Sequence, residues 1–335
     1  MATIRDIASM AGVSPAAVSR ILNNDAGLSV TPATRKRVLD CAAQLGYTRK
    51  KTRDKSGFKM GILQWFSAEE ELSDDYYLSI RKGIEDYCAA NAISLSRAYR
   101  VDGVTGSLPD DTDGVICVGK FSSKDAGALI SKYKNILFLD MEVEHPEVTT
   151  ITMDFKTAVK EALSYLMRLG HRKIAYIGGL EYPSGQSRDK APLEDPRKKA
   201  YESFMRKHKL EYKQLLSEGS FSAESGYEQM TALIDSGNVP EAVLAASDAI
   251  AVGVLKAIAD KGLSCPEDIS VMGINDDRMS AFTTPSLTTM RAPAYDMGQH
   301  GANLVYAAGN LSINTPLKVM IPCVLIERDS CAERR

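Results

Sequence analysis

No part of the sequence holds the roughly 18 consecutive apolar residues that would make a membrane span, and that excludes a helical membrane protein. The six cysteines, Cys41, Cys88, Cys117, Cys265, Cys323 and Cys331, stand far apart without one Cys-x-x-Cys pair. Their scatter argues against a cysteine zinc site or a disulfide framework and points to a reducing cytoplasm. The first residues, Met1-Ala2-Thr3-Ile4-Arg5-Asp6, lack the apolar stretch behind a basic start that marks an export signal, in line with a cytoplasmic location. Enzyme signatures are missing too: there is no G-x-G-x-x-G, P-loop, H-E-x-x-H or G-x-S-x-G. His145, His171, His208 and His300 show no metal-ligand spacing, so neither a metal nor another cofactor is expected.

What is present is ordinary in bulk and uneven in distribution. With 335 residues, 44% apolar and 25% charged, the chain has material for two or three domains with buried cores. Residues 1–59 hold 11 Lys/Arg against 4 Asp/Glu, so this stretch carries a formal +7 and the rest −9 within a total of −2. A short basic module joined to a large acidic one implies two kinds of partner, a polyanion for the first.

The basic module patterns as three helices. Thr3 with Asp6 three residues later forms a helix start, and Ile4, Ile7 and Ala8 share one face of a helix ending near Met10. Gly12 supplies a left-handed turn, and Ser14-Pro15 restarts a second helix as N-cap and first residue. Val18 and Leu22 then point inward while Pro15, Ala16, Ser19 and Arg20 point out. Thr31-Pro32 opens a third helix running toward a Gly46 C-cap. Two helices joined by so short a turn make a helix-turn-helix, whose second helix enters the major groove of duplex DNA. The planar fork of Arg20 matches the O6 and N7 acceptors of guanine.

The run Val13-Ser14-Pro15-Ala16-Ala17-Val18-Ser19-Arg20-Ile21-Leu22-Asn23, after Asp6-Ile7-Ala8 and Ala11-Gly12, resembles the amino-terminal signature of the LacI/GalR family of bacterial transcriptional regulators. The resemblance implies that Pro15, Ala16 and Arg20 face bases and that Thr3, Ser14, Ser19 and Asn23 lie near phosphates. Two copies would read the halves of a near-palindromic double-stranded operator. Ala17 stands where the family usually has threonine, which removes a hydroxyl near the backbone. The segment that follows is basic, with five Lys/Arg between Arg49 and Lys55. It reads as a phosphate-hugging connector, with Lys50 and Lys51 on the DNA, and lacks the Ala-x-x-Leu pattern of the family's hinge helix.

Beyond Met60 short apolar runs alternate with amphipathic stretches: 61–66, a helix near 76–90, 93–99, 114–118, 136–139, a helix 155–169, then 174–177, 242–245, a helix 249–261, and 269–272. That alternation signals parallel doubly wound α/β sheets, which gather ligands at the carboxyl ends of their strands. The polar residues found there are Asp140, Asp154, Ser247-Asp248 and Asn275-Asp276. A cleft of carboxylates and amides suits a hydroxyl-rich ligand. Trp65, Tyr76 and Tyr77 fit either the cleft wall or the core.

Leu169-Gly170-His171-Arg172-Lys173-Ile174, Ala246-Ser247-Asp248-Ala249-Ile250-Ala251-Val252-Gly253 and Asp268-Ile269-Ser270-Val271-Met272-Gly273-Ile274-Asn275-Asp276 extend the resemblance over the whole chain. It implies a helix-turn-helix head (1–47), a linker (48–59) and a two-lobed core (60–332) like that of periplasmic sugar-binding proteins. The first lobe takes about 60–153 and 290–317, the second about 154–289 and 318–332. Sugar contacts come from Asp140, Arg197, Phe221, Ser247 or Asp248, and Asn275, the last standing where many members have Asp. The implied protein is a homodimeric, sugar-released repressor, most similar to galactose- or β-galactoside-responsive members. A purine or nucleoside corepressor and a sugar-processing enzyme are the competing readings. No leucine-heptad tail follows Arg328, which favours a dimer over a tetramer.

Overall fold

A computed structural model describes residues 3–22, 30–45, 57–68, 75–101, 104–183, 191–311 and 313–334. The chain divides into two compact units, Met1–Asp54 and Lys55–Arg335.

In the first unit helix α1 (Ile4–Ala11) starts at a capping box. The Asp6 N–H donates to Thr3 Oγ1 (3.3 Å) and the Thr3 N–H to Asp6 Oδ2 (2.7 Å), satisfying two amides at a helix start. Gly12, at φ +66°, closes the helix in the left-handed region, one residue later than the pattern suggested. Helix α2 (Pro15–Leu22) begins with proline at its first position, and Ser14 Oγ accepts the Ala17 N–H at 3.1 Å. Helix α3 (Pro32–Gln44) is capped by Thr31, which accepts from the Thr34 N–H, and ends at Leu45. The expected Gly46 cap lies outside the described residues. Ile7, Ala8 and Ala11 meet Val18, Ile21, Val38, Cys41 and Ala42 in a small core. Ile21, three residues after Val18, is buried where Leu22 was expected; Leu22 packs on the flank, partly exposed.

The second unit is built on two six-stranded sheets. In chain order it runs β1 (Lys59–Gln64), α4 (Asp75–Ala90), β2 (Ser94–Ala98), a small hairpin of β3 (Arg100–Val101) and β4 (Val104–Thr105), β5 (Gly114–Val118), α5 (Ser123–Lys132), β6 (Ile136–Leu139) and β7 (Thr149–Met153). It continues with α6 (Phe155–Arg168), β8 (Ile174–Gly179), α7 (Pro196–Lys207), β9 (Leu216–Gly219), α8 (Ala223–Asp235), β10 (Ala242–Ala245), α9 (Asp248–Asp260) and β11 (Ser270–Asn275). The last elements are β12 (Thr288–Arg291), α10 (Ala294–Leu311), β13 (Lys318–Ile321) and β14 (Val324–Ile326).

The first sheet has the order β13-β7-β6-β5-β1-β2 and is parallel throughout. The second has the order β14-β12-β11-β10-β8-β9, with only β14 antiparallel. The buried strands of the two sheets are runs such as Val115-Ile116-Cys117 in the first and Val243-Leu244-Ala245 in the second, apolar on both faces because helices cover both. Each Leu or Ile fully buried in this way contributes about 1.5–3 kcal/mol.

The chain passes between the sheets three times, after β7, after β12 and after β13. Two boundaries therefore differ from those expected. Strand β12, partly assigned to the first lobe as 290–317, pairs with β11 in the second sheet. Strand β13, assigned to the second lobe as 318–332, pairs in parallel with β7, Lys318 opposite Thr150, in the first. Its Lys-Val-Met-Ile alternates exposed and half-buried positions, as an edge strand does, and carries no local mark of which sheet it joins.

Two helix pairs approach to backbone contact. A Cβ on Gly83 of α4 would lie 2.1 Å from the Tyr295 carbonyl of α10, and one on Gly253 of α9 would lie 1.8 Å from the Ala223 carbonyl of α8. At the end of β5, Gly119 (φ +101°) gives way to the indole of Trp65, 1.4 Å from where its Cβ would be.

Candidate functional site

A cavity of about 230 Å³ lies between the carboxyl ends of the two sheets. Asp140, Arg197, Phe221, Ser247, Asp248 and Asn275, gathered from five separate stretches of sequence, all line it.

On the first sheet Asp140 follows β6 directly and is almost wholly buried. Its carboxylate accepts hydrogen bonds from the Tyr76 hydroxyl (3.0 Å), the Tyr77 hydroxyl (2.7 Å) and Lys120 Nζ (2.6 Å). Burial works against the Lys120 charge, yet Asp140 and then Glu181 outweigh it and hold the ammonium above its ordinary range. Burial first, and the Asp140 charge second, push the Tyr76 phenol well above its ordinary range, so it remains a donor. Tyr76 thus has a wall position, and Tyr77 lies behind it. Trp65 is absent from the wall and stacks edge-on against Phe66 and Tyr77.

On the second sheet Asp195 caps α7, accepting the Arg197 N–H at 2.8 Å and Arg197 Nε at 3.0 Å on each oxygen. The Arg197 guanidinium is sandwiched between Phe155 (4.8 Å) and Phe221 (4.6 Å), and its Nη1 donates to the Ala246 carbonyl at 3.1 Å. Burial opposes the guanidinium charge, but Asp195, Tyr176 and Glu181 together outweigh it and raise its pKa. The Nη2 hydrogens have no partner among the described residues. Phe221 was expected to contact a sugar; it lines the cavity, with one face of its ring taken by Arg197.

Ser247 caps α9, accepting the Ile250 N–H at 3.3 Å, and keeps its hydroxyl hydrogen to donate. Asp248 is committed inside the protein: Oδ2 accepts from the Asp277 N–H (2.8 Å) and Ser280 Oγ (2.6 Å), and Oδ1 from Thr289 Oγ1 (2.6 Å). Burial pushes its carboxyl up, and those three bonds only partly pull it back. Of the expected Ser247 or Asp248, Ser247 therefore has the free valence. The Asn275 side-chain amide has no bonded partner among the described residues, and its backbone stands at φ +123°. Asp140, at φ +64°, is the corresponding strained strand end of the other lobe. Such backbones cost about 1–3 kcal/mol each and gather where a ligand must be met. Asp154 is a helix cap, accepting the Thr157 N–H at 3.0 Å.

Lys120 and Glu181 are among the charged wall residues not anticipated from sequence. Both follow strand ends by one or two positions, β5 through Gly119 and β8 through Leu180, so the strand-end rule that found Asp140 would have reached them. The Glu181 carboxylate has no bonded partner among the described residues. Burial pushes it up, and the Lys120 and Arg197 charges oppose the shift without cancelling it.

In the helix-turn-helix unit Pro15, Ala16 and Arg20 are exposed along one face of α2, with Ser19 half-buried beside them. Thr3 and Ser14 are exposed, and both hydroxyls already serve as helix caps. Asn23, Lys50, Lys51 and residues 48–56 of the expected linker lie outside the described residues.

A helix-turn-helix unit carried on the same chain as a two-lobed, parallel-sheet core with a ligand-sized cleft defines a ligand-responsive DNA-binding regulator. Residues 3–50 match the model of bacterial regulatory proteins of the lacI family, and residues 163–331 match the periplasmic binding protein-like domain. The HTH-type transcriptional regulator GalR of Streptococcus thermophilus is 33% identical over 323 residues, covering 95% of each chain. The HTH-type transcriptional repressor MelR of Bacillus subtilis (strain 168) is 34% identical over 342 residues, covering 99% of this chain and 98% of its own. The crystal structure of the lac repressor dimer bound to operator and the anti-inducer ONPF superposes with a TM-score of 0.68 at 24% identity, covering 99% of both chains. The chain belongs to the LacI family of bacterial transcriptional regulators.

Proposed function

We propose that this protein is a cytoplasmic, dimeric repressor that holds a near-palindromic operator and releases it when galactose or a small galactoside enters the cleft. The observation that carries the effector half is the set of valences left open on the cavity wall. The Arg197 Nη2 hydrogens, the Ser247 hydroxyl, the Asn275 amide and the Glu181 carboxylate offer both donors and acceptors to a cavity of about 230 Å³, and paired hydroxyls need both. The relatives include the HTH-type transcriptional regulator GalR of Streptococcus thermophilus. The DNA half rests on the exposed face Pro15, Ala16 and Arg20, with Lys50 and Lys51 adding sequence-independent affinity.

Release follows from linkage. A sugar that touches Asp140 or Lys120 on one lobe and Arg197 or Asn275 on the other favours one lobe arrangement. It weakens operator binding only by its differential affinity for that arrangement. The test is calorimetry of the full chain against galactose, other hexoses and purine bases, with operator gel shifts alongside. Heat with galactose and loss of the shifted band are expected; heat with a purine alone overturns the reading. Asn275→Gly removes the amide while suiting the positive φ, so sugar affinity should fall by about 0.5–1.5 kcal/mol with the fold intact.

A further inference from the structure

Strand β11 ends at Asn275 and is followed by Asp276, and the cavity takes only the first of these two polar residues. Both stand at positive φ without being glycine, +123° and +62°, a costly pair of backbone conformations to hold side by side. The Asp276 side chain, 8% exposed, is gripped by two arginines. Its Oδ2 accepts from Arg291 Nε (2.7 Å) and its Oδ1 from Arg328 Nη2 (2.6 Å).

Arg291 is the last residue of β12, and Ala292-Pro293 then carries the chain out of the second sheet to α10, whose Gly301 lies against Leu139 of the first. This is one of the three crossings between the lobes. It is tied to the cavity wall directly as well, because the Asn275 carbonyl accepts the Ala292 N–H at 3.2 Å. Arg328 is fastened to the other end of β12, its N–H donating to Thr288 Oγ1 (2.9 Å) and its Nη1 to the Leu287 carbonyl (2.7 Å). One carboxylate therefore holds β12 at both ends.

We propose that Asp276 is a positioning residue of the switch: it touches no ligand, and through Arg291 it makes the angle of the 291–293 crossing follow the position of Asn275. The proposal rests on the ligand-released repressor reading above and names the part that carries the signal.

Motions between lobes are absorbed by a few residues at the ends of elements, and this crossing is such a place. Pro293 has a fixed φ, so rotation here falls largely on Arg291 and Ala292. Asp276 holds the first by its side chain, and Asn275 holds the second by its carbonyl. The bond is charge-assisted, and its donor side chain is 53% exposed, so the donor can be removed without opening the core. A ligand weakens operator binding only as far as it binds the two lobe arrangements differently. Cutting the Asp276–Arg291 bond leaves the cavity wall in place and removes that difference, so binding and release come apart.

The test uses the full chain, an operator fragment and the panel already named: galactose, other hexoses and purine bases. The quantity read is the operator Kd with saturating ligand divided by the operator Kd without it. In Arg291→Gln and Asp276→Asn, ligand affinity and ligand-free operator affinity should each stay within about threefold of the unchanged protein, while the ratio falls about fivefold or more toward one. Arg291→Gln, at an exposed position, decides the question if Asp276→Asn, which loosens Arg328 too, fails to fold. A ratio that survives in Arg291→Gln overturns the inference and leaves the sugar reading standing. Ligand affinity lost in step with the ratio overturns it too, since Asp276 would then only shape the wall. Heat from a purine base alone overturns the sugar reading, and the ratio taken with that base still decides the inference. No heat from any member of the panel overturns both.

Discussion

Thr289 Oγ1 and Asp248 Oδ1, 41 residues apart in sequence, meet at 2.6 Å beneath the cleft floor. The bond ties the first turn of α9 to β12. The same carboxylate also holds Ser280 and the Asp277 amide, so one buried side chain fixes the loop that follows Asn275. Asp248→Ala would leave three donors without an acceptor, each worth about 1–3 kcal/mol when buried. A large loss of core stability in denaturant melts is expected, well beyond that of Thr289→Val, which removes the donor together with its need for a partner. Equal losses in the two variants would show that the carboxylate does not act as the hub.

The backbone contact of α9 with α8 makes a sharper packing test. Gly253→Ala places a methyl against the Ala223 carbonyl and should cost about 1–3 kcal/mol through overpacking. Gly127, on the exposed side of α5, has nothing within 4 Å of its would-be Cβ. Gly127→Ala should stabilise by about 0.4–1 kcal/mol, since helix propensity and unfolded-state entropy both favour alanine. Chemical denaturation of the two variants in parallel separates contact from propensity.

Glu181 gives a pH signature. Its carboxyl is raised by burial, so the folded state binds its proton more tightly than the unfolded state does. Its contribution therefore falls as pH climbs from the ordinary value of 4.5 through the raised one, and is constant above. Glu181→Gln should remove that segment of the stability curve and raise the melting temperature at neutral pH. If Glu181 accepts from a sugar, the same substitution weakens binding, so stability and affinity move in opposite directions. A melting temperature that drops would show that the attraction of Lys120 and Arg197 outweighs the burial.

Arg20 tests the DNA face. A bidentate guanine contact means that Arg20→Ala loses about 1–3 kcal/mol per half-site and relaxes one symmetric operator position. Competition binding over a library of operator variants reads both effects. A uniform loss at every sequence identifies a phosphate contact instead.

The sequence made some parts of this molecule legible and hid others for physical reasons. Caps at Thr3, Ser14 and Thr31 and the left-handed Gly12 are local, each decided within four residues. The buried parallel strands announce themselves as apolar runs, and the polar residues ending them led to Asp140, Ser247 and Asn275. Strand β13 was misplaced because sheet membership depends on a partner about 170 residues away, Thr150 for Lys318. Asp248 was read as facing ligand because the donors that occupy it lie 29 to 41 residues further on. That Arg197 stacks on Phe221 is hidden as well, because nothing in the local sequence of Phe221 shows it.

The indole seated against Gly119 has a practical meaning. The chain has a single tryptophan, Trp65, and it is wedged at the strand end whose next residue, Lys120, is part of the cleft wall. Emission from that one fluorophore therefore reports on a single known place, with no second signal to subtract. A ligand that shifts Lys120 changes the packing around Trp65. The protein carries its own optical gauge of the cleft, already installed next to a residue of its wall.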